Sequence, residues 1–514
     1  MILNLKILFV ALSFFMAIFV LLANRFLIIN RVFILAGDFD EKLKVDTTIM
    51  KINWVVNQIE QSNPNIPKVR PWSEWHRYNE SCAYQTYHFD IKFNNAYWQM
   101  QKTTNETFYL YGAYYDNRTW PGKFAPVVRI LGMVERPGLN ITKNVMCQFW
   151  FENRTTPVIV KVYHIQYLWR PEWGYTKVDL KPYMLSCFIP PSSYHLVPES
   201  VSLVERPCQN ATNNLRVIDI RPASGAKQDF AVCVKSLNFQ HWAKISVRLV
   251  EWIELLKILG AEKITFYQLQ VHANISKVLE YYKSSWNVEV VQTTLPGNYP
   301  NSPHLMDLFL TERLVVQVFQ ELIDYNDCLY RNMNLFKFIV LLDIDEVIMP
   351  LGLNENWSNL IYKTAIPKAR EVEKNEKTEH NVTHSTFVAR NVFFLDGMVD
   401  NRFSDIPNYM HMMQHVARTK HSPIGDRVKA FHATNTTFAL HNHFARACVG
   451  EYGQSLNWCR SIQFDLEDAQ LQHYCVANTK KECNVKKGHN VTVNDTAIWS
   501  TTVSYFTKIF TVYL

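Results

Sequence analysis

The spacing of apolar residues changes repeatedly between residues 230 and 350. Short apolar runs typical of buried strands alternate with segments in which apolar residues recur every three or four positions, the spacing of a helix with one buried face. The predicted strands are Ala231–Val234, Ile264–Tyr267, Val288–Val291 and a run through Phe338; the predicted helices extend from Trp242 to a stop at Gly260, over Ile275–Tyr282 and over His304–Leu322. This alternation predicts an α/β fold, a mostly parallel sheet with helices on both faces.

The last of these strands ends at two acidic residues. The apolar run Phe338–Leu342 leads into Asp343 and Asp345, which point to the same side because strand side chains alternate. Neighbouring carboxylates repel each other, and an oxygen-binding ion such as Mg²⁺ or Mn²⁺ would offset that repulsion. Such ions also bind phosphate oxygens, so the pair predicts a metal-diphosphate site at the carboxyl edge of the sheet. The alternative is a simple turn after a strand.

The N-terminal region has a different pattern. Residues 7–23 are uncharged and almost entirely apolar, and Phe26–Ile29 can extend the stretch past Arg25. We predict an uncleaved transmembrane signal-anchor over residues 7–29, behind a cytosolic tail of residues 1–6; a cleaved signal peptide is the alternative. Residues 30–71, which are interrupted by Asn63–Pro67, are predicted to form a stem.

Residues 72–230 carry short β-rich runs separated by proline and glycine. Examples are Phe108–Tyr111, Val127–Leu131 and Val158–Tyr163. We predict a mainly β lumenal domain, with a sandwich as the expected arrangement. No candidate chemistry is evident in this region.

Composition places most of the chain in an oxidising compartment. There are 10 cysteines, an even number without a Cys-x-x-Cys pair, which favours structural disulfides over a zinc or redox site. Cys448, Cys459, Cys475 and Cys483 are expected to staple a C-terminal segment of residues 448–514. Acceptor sequences for N-glycosylation, which also predict a lumenal location, occur at Asn79, Asn105, Asn117, Asn140, Asn153, Asn210, Asn274, Asn356, Asn381, Asn435, Asn490 and Asn494.

The net charge argues against one class of partner. It is +7, from 53 basic and 46 acidic residues, and the basic residues form no long run. Nucleic acid binding is therefore not indicated.

An ordered series of motifs resembles glycosyltransferase family 92. The motifs are Glu251-Trp252-Ile253-Glu254-Leu255, Leu259-Gly260, Asn326-Asp327-Cys328-Leu329-Tyr330 and Asp343-Ile344-Asp345-Glu346. The resemblance runs from about Ala231 to His443 and implies a GT-A-like catalytic domain over residues 231–447. It also implies a UDP-sugar donor and a Mn²⁺ or Mg²⁺ ion held by Asp343 and Asp345. The implied reaction is inverting transfer of galactose from UDP-galactose to a glycan, in some members to a fucose on an N-glycan core.

Two further site residues are candidates. In similar enzymes a histidine after a late strand is the third metal ligand; His441 matches that position best, and His443 is its rival. Inversion needs a carboxylate to take the proton of the acceptor hydroxyl, and Asp396 is the candidate base. For Asp396, which precedes Gly397, the alternative is a turn residue.

Lumenal glycosyl transfer implies a setting and a set of partners. We expect a single-pass type II protein of the Golgi or ER-Golgi membrane that acts on a nucleotide sugar and on a glycan or glycoprotein acceptor. Two alternatives stay open, since a fold does not determine chemistry. One is a non-catalytic, glycan-binding relative, and the other is a transferase that uses a different nucleotide sugar.

Overall fold

The computed structural model describes residues 53–70, 75, 81–118, 126–135, 145–152, 154–174, 178–375, 384–396, 406–407, 409–449, 455–456, 459–475 and 493–500. The chain divides into Met1–Pro64 and Asn65–Leu514. In the first unit, residues 53–62 are helical. The predicted tail, anchor and most of the stem lie outside the described residues. Among the helices that are described, none is both long enough and apolar enough to cross a membrane.

The N-terminal part of the second unit is mainly β, as predicted. Its strands are β1 Gln99–Lys102, β2 Thr107–Asp116, β3 Val127–Glu135, β4 Met146–Trp150, β5 Val158–Lys161, β6 His164–Tyr167, β7 Leu180–Phe188, β8 Ser200–Val204 and β9 Leu215–Ile218. Within the described residues they form one sheet in the order β5-β4-β8-β9-β2-β3-β7-β6, with β1 on β2, instead of the two sheets of a sandwich. The Cys147–Cys187 disulfide joins β4 to β7, which are distant in this order, so the sheet curls around its core.

The predicted α/β alternation is present from residue 228 onward. The strands are β10 Gln228–Phe239, β11 Lys263–Val271, β12 Val288–Gln292 and β13 Phe336–Leu341, and the helices are α1 Ile245–Leu259, α2 Ala273–Ser285, α3 Leu305–Glu312 and α4 Leu314–Asn332. The four strands are parallel and adjacent in the order β12-β11-β10-β13. Gly260, with φ 108°, ends α1 in the left-handed conformation that favours glycine.

Helices cover both faces of this sheet. Phe230, Val232 and Val234 of β10 belong to one apolar core with α1 and α2, whereas Ala231 and Cys233 belong to a second core with α4 and part of the N-terminal sheet. Strands buried on both faces are near-continuously apolar, which is the pattern from which they were predicted.

The helix predicted over His304–Leu322 differs in the structure. It is broken at Arg313, whose ψ of 59° is not helical, and its second part, α4, continues to Asn332. The continuation contains the Asn326–Tyr330 motif, whose polar residues are buried with partners. Asn326 binds the backbone of Leu440 in both directions, and Tyr330 donates to the Phe438 carbonyl. The motif therefore braces the strand that carries His441.

The remaining strands complete three further sets of pairings. They are β14 Glu346–Pro350, β15 Thr386–Ala389, β16 Asn391–Leu395, β17 Ala417–Arg418, β18 Lys429–Ala433, β19 Thr437–His441, β20 Phe444–Val449, β21 Ser455–Leu456, β22 Ser461–Gln463, β23 Ala469–Cys475 and β24 Val493–Asn494. Antiparallel β18, then β15 and β22, extend the parallel sheet beyond β13. After residue 228, a second sheet has the order β14-β23-β16-β17-β24, and a third sheet has the order β19-β20-β21. The remaining helices are α5 Ile366–Asn375, α6 Ala497–Ser500, 3₁₀ helices at Pro171–Trp173, Pro191–Ser193 and Met412–Gln414, and a π-helix at Asn359–Ala365.

The segment predicted to follow a boundary at residue 447 is integrated into these sheets. β22 pairs with β15, and β23 lies between β14 and β16. Cys448 and Cys459 form a disulfide, whereas Cys483 lies outside the described residues. The other described disulfides, Cys82–Cys208 and Cys233–Cys328, also fit the structural role expected of the cysteines.

Candidate active site

The acidic pair lies where the order of the parallel strands reverses. β11 and β12 extend to one side of β10, and β13 lies on its other side; beyond the carboxyl ends of two such strands an open parallel sheet typically has its ligand-binding crevice. Cys233 of β10 pairs with Leu341 of β13. Two residues further along each strand, Lys235 and Asp343 are therefore neighbours at the crevice.

Asp343 is held between two lysines. Its Oδ2 lies 3.2 Å from Lys429 Nζ and its Oδ1 lies 3.4 Å from Lys235 Nζ. Burial opposes ionisation, but the charges of Lys235 and Lys429 prevail and hold the pKa of Asp343 below its usual range. Side-chain cations therefore offset the negative charge of Asp343, a role that the sequence predicted for a metal ion. Asp343 Oδ1 is buried but accepts no hydrogen bond from a described residue.

Lys429 also neutralises a third acid. Its side chain is fully buried, and its Nζ lies 2.9 Å from Glu346 Oε2 and donates to Asn442 Oδ1 at 2.6 Å. Although burial disfavours its charge, Asp343 and Glu346 raise the pKa of Lys429. Glu346 also accepts a hydrogen bond from the Asp343 backbone N–H, at 3.1 Å. This network fixes the turn between β13 and β14.

Asp345 is in a different environment. Its side chain is 43% exposed, compared with 18% for Asp343, and its Oδ2 lies 3.5 Å from His473 Nε2. The other ring nitrogen of His473 lies 3.4 Å from Glu346 Oε1, because β23 pairs His473 directly with Glu346. Burial opposes protonation of this imidazole, but Asp345 and Glu346 raise its pKa to about 9.

Sequence reasoning did not identify Lys235 or His473 as site residues. Lys235 lies on the first strand of the parallel sheet, and His473 lies in a segment that carries no recognised motif. The apolar alternation of Ala469–Cys475 could have identified a strand, but not its neighbours.

His441 and His443 differ in their surroundings. The His441 ring packs against Trp173 and Phe444, with centroids 4.8 and 4.6 Å away, and its Nδ1 accepts the backbone N–H of His443. Burial is the main cause that lowers the pKa of His441 to about 3, and the nearby cations act in the same direction. Burial and Lys429 also lower the pKa of His443, to about 4, but Asp343 acts in the opposite direction. Both rings are therefore neutral. Because Nδ1 of His441 accepts a hydrogen bond, the proton of that ring lies on Nε2, whereas Nδ1 of His443 donates to the Val428 carbonyl and leaves Nε2 free to bind a metal ion.

Asp396 belongs to a separate cluster. It follows β16, and its Oδ1 lies 3.2 Å from His415 Nε2 and 3.6 Å from His411 Nε2. Its Oδ2 lies 3.6 Å from the Arg248 guanidinium. Burial opposes ionisation, but the contact with His415 and the charges of His411 and Arg248 lower the pKa of Asp396. Within the described residues, Asp396, His411 and His415 form a group of metal-binding side chains with ligand atoms within 4.8 Å of one another; Asp343, Asp345 and His441 do not.

The solved structures that match this chain resemble it only weakly. The crystal structure of S. aureus TarS 1-349 is 12% identical, with a TM-score of 0.23 over 48% of this chain and 60% of that chain. TarS 1-349 in complex with UDP-GlcNAc is also 12% identical, with a TM-score of 0.22 over 48% of this chain and 58% of that chain. The chain thus spans about three fifths of the length of those structures. No curated protein matched it by sequence.

Comparison with protein families gives a definite result. The profile of glycosyltransferase family 92 matches residues 228–508, which include β10–β24, the acidic pair and His473. The match begins at the first residue of β10 and covers more than half of the 514-residue chain. The protein therefore belongs to glycosyltransferase family 92.

Proposed function

We propose that this glycosyltransferase moves a hexose, galactose from UDP-galactose, to a glycan acceptor with inversion at the sugar carbon. The observation that carries the proposal is the charged crevice at the strand-order reversal, where Asp343, Asp345, Lys235 and Lys429 converge in a family 92 chain. A nucleotide diphosphate bound beyond the carboxyl ends of β10 and β13 would meet these side chains. The fold that we propose for residues 231–447 is GT-A-like.

The donor set at the acidic pair fits a hard divalent cation such as Mn²⁺ or Mg²⁺. Asp343 Oδ1 accepts no hydrogen bond from the residues that the structure describes, and the carboxylate of Asp345 is partly exposed. Lys235 and Lys429 keep Asp343 ionised, so it can offer oxygen ligands without first losing a proton. A bound ion would offset the negative charge that develops on the departing diphosphate.

The third ligand that we propose is His441, with His443 as the alternative. The β19–β20 turn places both imidazoles near Asn442, whose side chain accepts from Lys429. The aromatic contacts of His441 restrict its rotation, whereas Asp343 influences the charge of His443. These observations support testing the two histidines in parallel.

We propose Asp396 as the acceptor base. Its lowered pKa keeps it a carboxylate at neutral pH, and it lies beyond the carboxyl end of β16. β16 and β14 both pair with β23, and this pairing places Asp396 at the same edge of the second sheet as Asp345. In an inverting transfer the base takes the acceptor proton as the new bond forms.

We also propose a lumenal, Golgi-membrane location. Disulfides at Cys82–Cys208 and Cys233–Cys328 support an oxidising compartment. Several glycosylation acceptors, including Asn105, Asn210 and Asn274, are exposed. Removal of N-glycans from the protein expressed in secretory cells should increase its gel mobility; an unchanged mobility would contradict the proposal.

The proposed reaction is tested by incubating the purified chain with a panel of UDP-sugars and glycan acceptors, with and without Mn²⁺. We expect transfer from UDP-galactose that depends on the added ion and is lost in Asp345→Asn. Asp219→Asn, which alters an ion pair with Arg221 far along the chain from the site, serves as the matched control and should transfer normally. Transfer from a different UDP-sugar alone would overturn the donor assignment, and full activity of Asp345→Asn would overturn the site.

A further inference from the structure

A second cluster of ligand-type side chains lies apart from the acidic pair. Asp396 follows β16, and His411 and His415 flank the 3₁₀ helix Met412–Gln414. Asp396 Oδ1 lies 3.2 Å from His415 Nε2 and 3.6 Å from His411 Nε2. Three potential ligand atoms, two nitrogens and one oxygen, therefore lie within 4.8 Å of one another.

A hydrogen bond on the far side of His415 fixes which of its ring nitrogens faces Asp396. His415 Nδ1 lies 2.7 Å from the His411 carbonyl, which can only accept, so Nδ1 must carry a proton. Nε2 is then the nitrogen of His415 that faces Asp396 Oδ1, at 3.2 Å, and the one that could bind an ion in place of a proton. His411 Nε2 is buried, has no hydrogen-bond partner among the described residues, and faces the same oxygen. A cation among the three atoms would satisfy all of them at once.

The surrounding residues orient this cluster. Glu251, which is buried on α1, accepts the backbone N–H groups of Met412 and Met413, at 3.0 and 3.4 Å, and so fixes the 3₁₀ helix between the histidines. Arg248, one turn earlier on α1, faces Asp396 Oδ2 and leaves Oδ1 turned toward the histidines. The bond from His415 Nδ1 to a carbonyl is the outer contact that typically orients a metal-binding imidazole.

We propose that Asp396 Oδ1, His411 Nε2 and His415 Nε2 bind a transition-metal dication of the Zn²⁺ type. Zn²⁺ binds imidazole and carboxylate at about 2.0–2.1 Å, so tetrahedral ligands lie roughly 3.3 Å apart. The separations of 3.2 and 3.6 Å from Asp396 to the two histidines match this spacing. Three protein ligands leave one position for water. The mixed nitrogen and oxygen set distinguishes this site from the oxygen-rich acidic pair.

The zinc site can be tested separately from the proposed transfer reaction, although a bound ion would compete with the proposed role of Asp396 as acceptor base. A base requires only the carboxylate of Asp396, whereas the ion requires both histidines as well. Coordination would withdraw electron density from Oδ1, so metal binding and base catalysis are alternative uses of that oxygen. Metal binding can be measured without any sugar donor, and its failure would leave the proposed transfer untouched.

The test measures ion binding directly on the full chain after removal of metals with a chelator. Calorimetric titration with Zn²⁺ should give one tight site, and Co²⁺ in its place should produce the visible absorption of a four-coordinate ion. The double variant His411→Ala/His415→Ala should lose at least about 100-fold in affinity. The matched control is His241→Ala/His304→Ala, which removes an exposed histidine pair with nitrogens 3.2 Å apart, and it should bind as the wild type does.

Three results would overturn the proposal. They are wild-type protein that binds no Zn²⁺ at micromolar concentration, a Co²⁺ complex without visible absorption, and undiminished binding in the histidine double variant. If that variant fails to fold, the nearly isosteric Asp396→Asn replaces it. Unchanged Zn²⁺ affinity in folded Asp396→Asn would equally refute the site.

Discussion

Asp343 and Asp345 are two residues apart, but replacing each by asparagine should have different effects on stability. Asp343→Asn leaves buried Lys429 and partly exposed Lys235 with one counter-charge fewer, so we expect a loss of about 3 kcal/mol in the free energy of unfolding. Asp345→Asn removes a partly exposed carboxylate and should cost less than about 1 kcal/mol. Transfer should fall at least about a hundredfold in both variants.

Urea denaturation followed by circular dichroism, together with transfer assays, checks this prediction. Relief of repulsion between two acids, the effect expected from sequence, would instead make Asp343→Asn more stable than the wild type. That result would show that Lys235 and Lys429 do not balance the negative charge of Asp343. A folded Asp345→Asn that keeps near-normal activity would remove it from the site.

Replacing His441 or His443 should change the metal requirement of transfer to different extents. We expect His441→Ala to raise the Mn²⁺ concentration needed for half-maximal transfer by about 10- to 100-fold, and His443→Ala to raise it much less. The ring of His441 has fixed aromatic contacts, so loss of packing should be monitored by thermal unfolding. The opposite ranking of metal requirements would assign the ligand to His443.

His473 should make stability depend on pH. Its pKa is raised from 6.5 to about 9, so its contribution is complete below about pH 6.5 and is lost as pH rises through about 9. Between these values the free energy of unfolding of the wild type should fall relative to that of His473→Gln, by on the order of 3 kcal/mol at most. Parallel pH profiles for the two proteins would show that His473 is not protonated by its acidic neighbours.

At the residue scale, sequence predicted the acids but not their partners. Asp343 and Asp345 stand out because they end an apolar strand. Lys235 and His473 reach them only through the pairing of β10 with β13 and of β23 with β14, contacts that join residues more than 100 positions apart along the chain. Local periodicity contains no information about such neighbours.

Among the structural elements, the Cys448–Cys459 disulfide offers a direct test of the C-terminal region. It joins the end of β20 to the residues before β22, and such a bond typically contributes about 2–4 kcal/mol. Mild reduction without denaturant should therefore expose the region around residues 449–460 to protease before the parallel sheet is cut. The double variant Cys448→Ser/Cys459→Ser should show the same early cleavage without reductant. Equal resistance in reduced and oxidised protein would contradict the prediction.

The elements also show where periodicity misleads. α1 and β13 were predicted because their buried residues are apolar. α4 extends ten residues past the predicted end at Leu322. The prediction ended too early because the extension contains residues that are polar yet buried: Asn326, Asp327, Arg331 and Asn332. Asp327 accepts from Tyr114 of the N-terminal sheet, from Tyr267 and from Arg331, so its burial depends on partners outside the helix.

For the whole molecule, the contact between Asp327 and Tyr114 of the N-terminal sheet predicts that the family 92 region cannot fold alone. Tyr109, Tyr111 and Tyr114 share an apolar core with Leu341 and with α4. A chain that starts at residue 219 should therefore aggregate or unfold without cooperativity, whereas residues 65–514 should unfold in one transition. Calorimetry of the two proteins checks this expectation. A cooperative transition in the shorter chain would show that the family 92 region is independent of the β sheet.

The position of β23 has a consequence for synthesis. β14 and β16 are made more than 70 residues before β23, but they have no pairing with each other until it inserts between them. Both strands therefore leave the ribosome with open edges, which are prone to wrong pairing. Asp345 and Glu346 likewise lack the His473 imidazole until that strand arrives. The candidate active site is thus complete only after β23 has been translated.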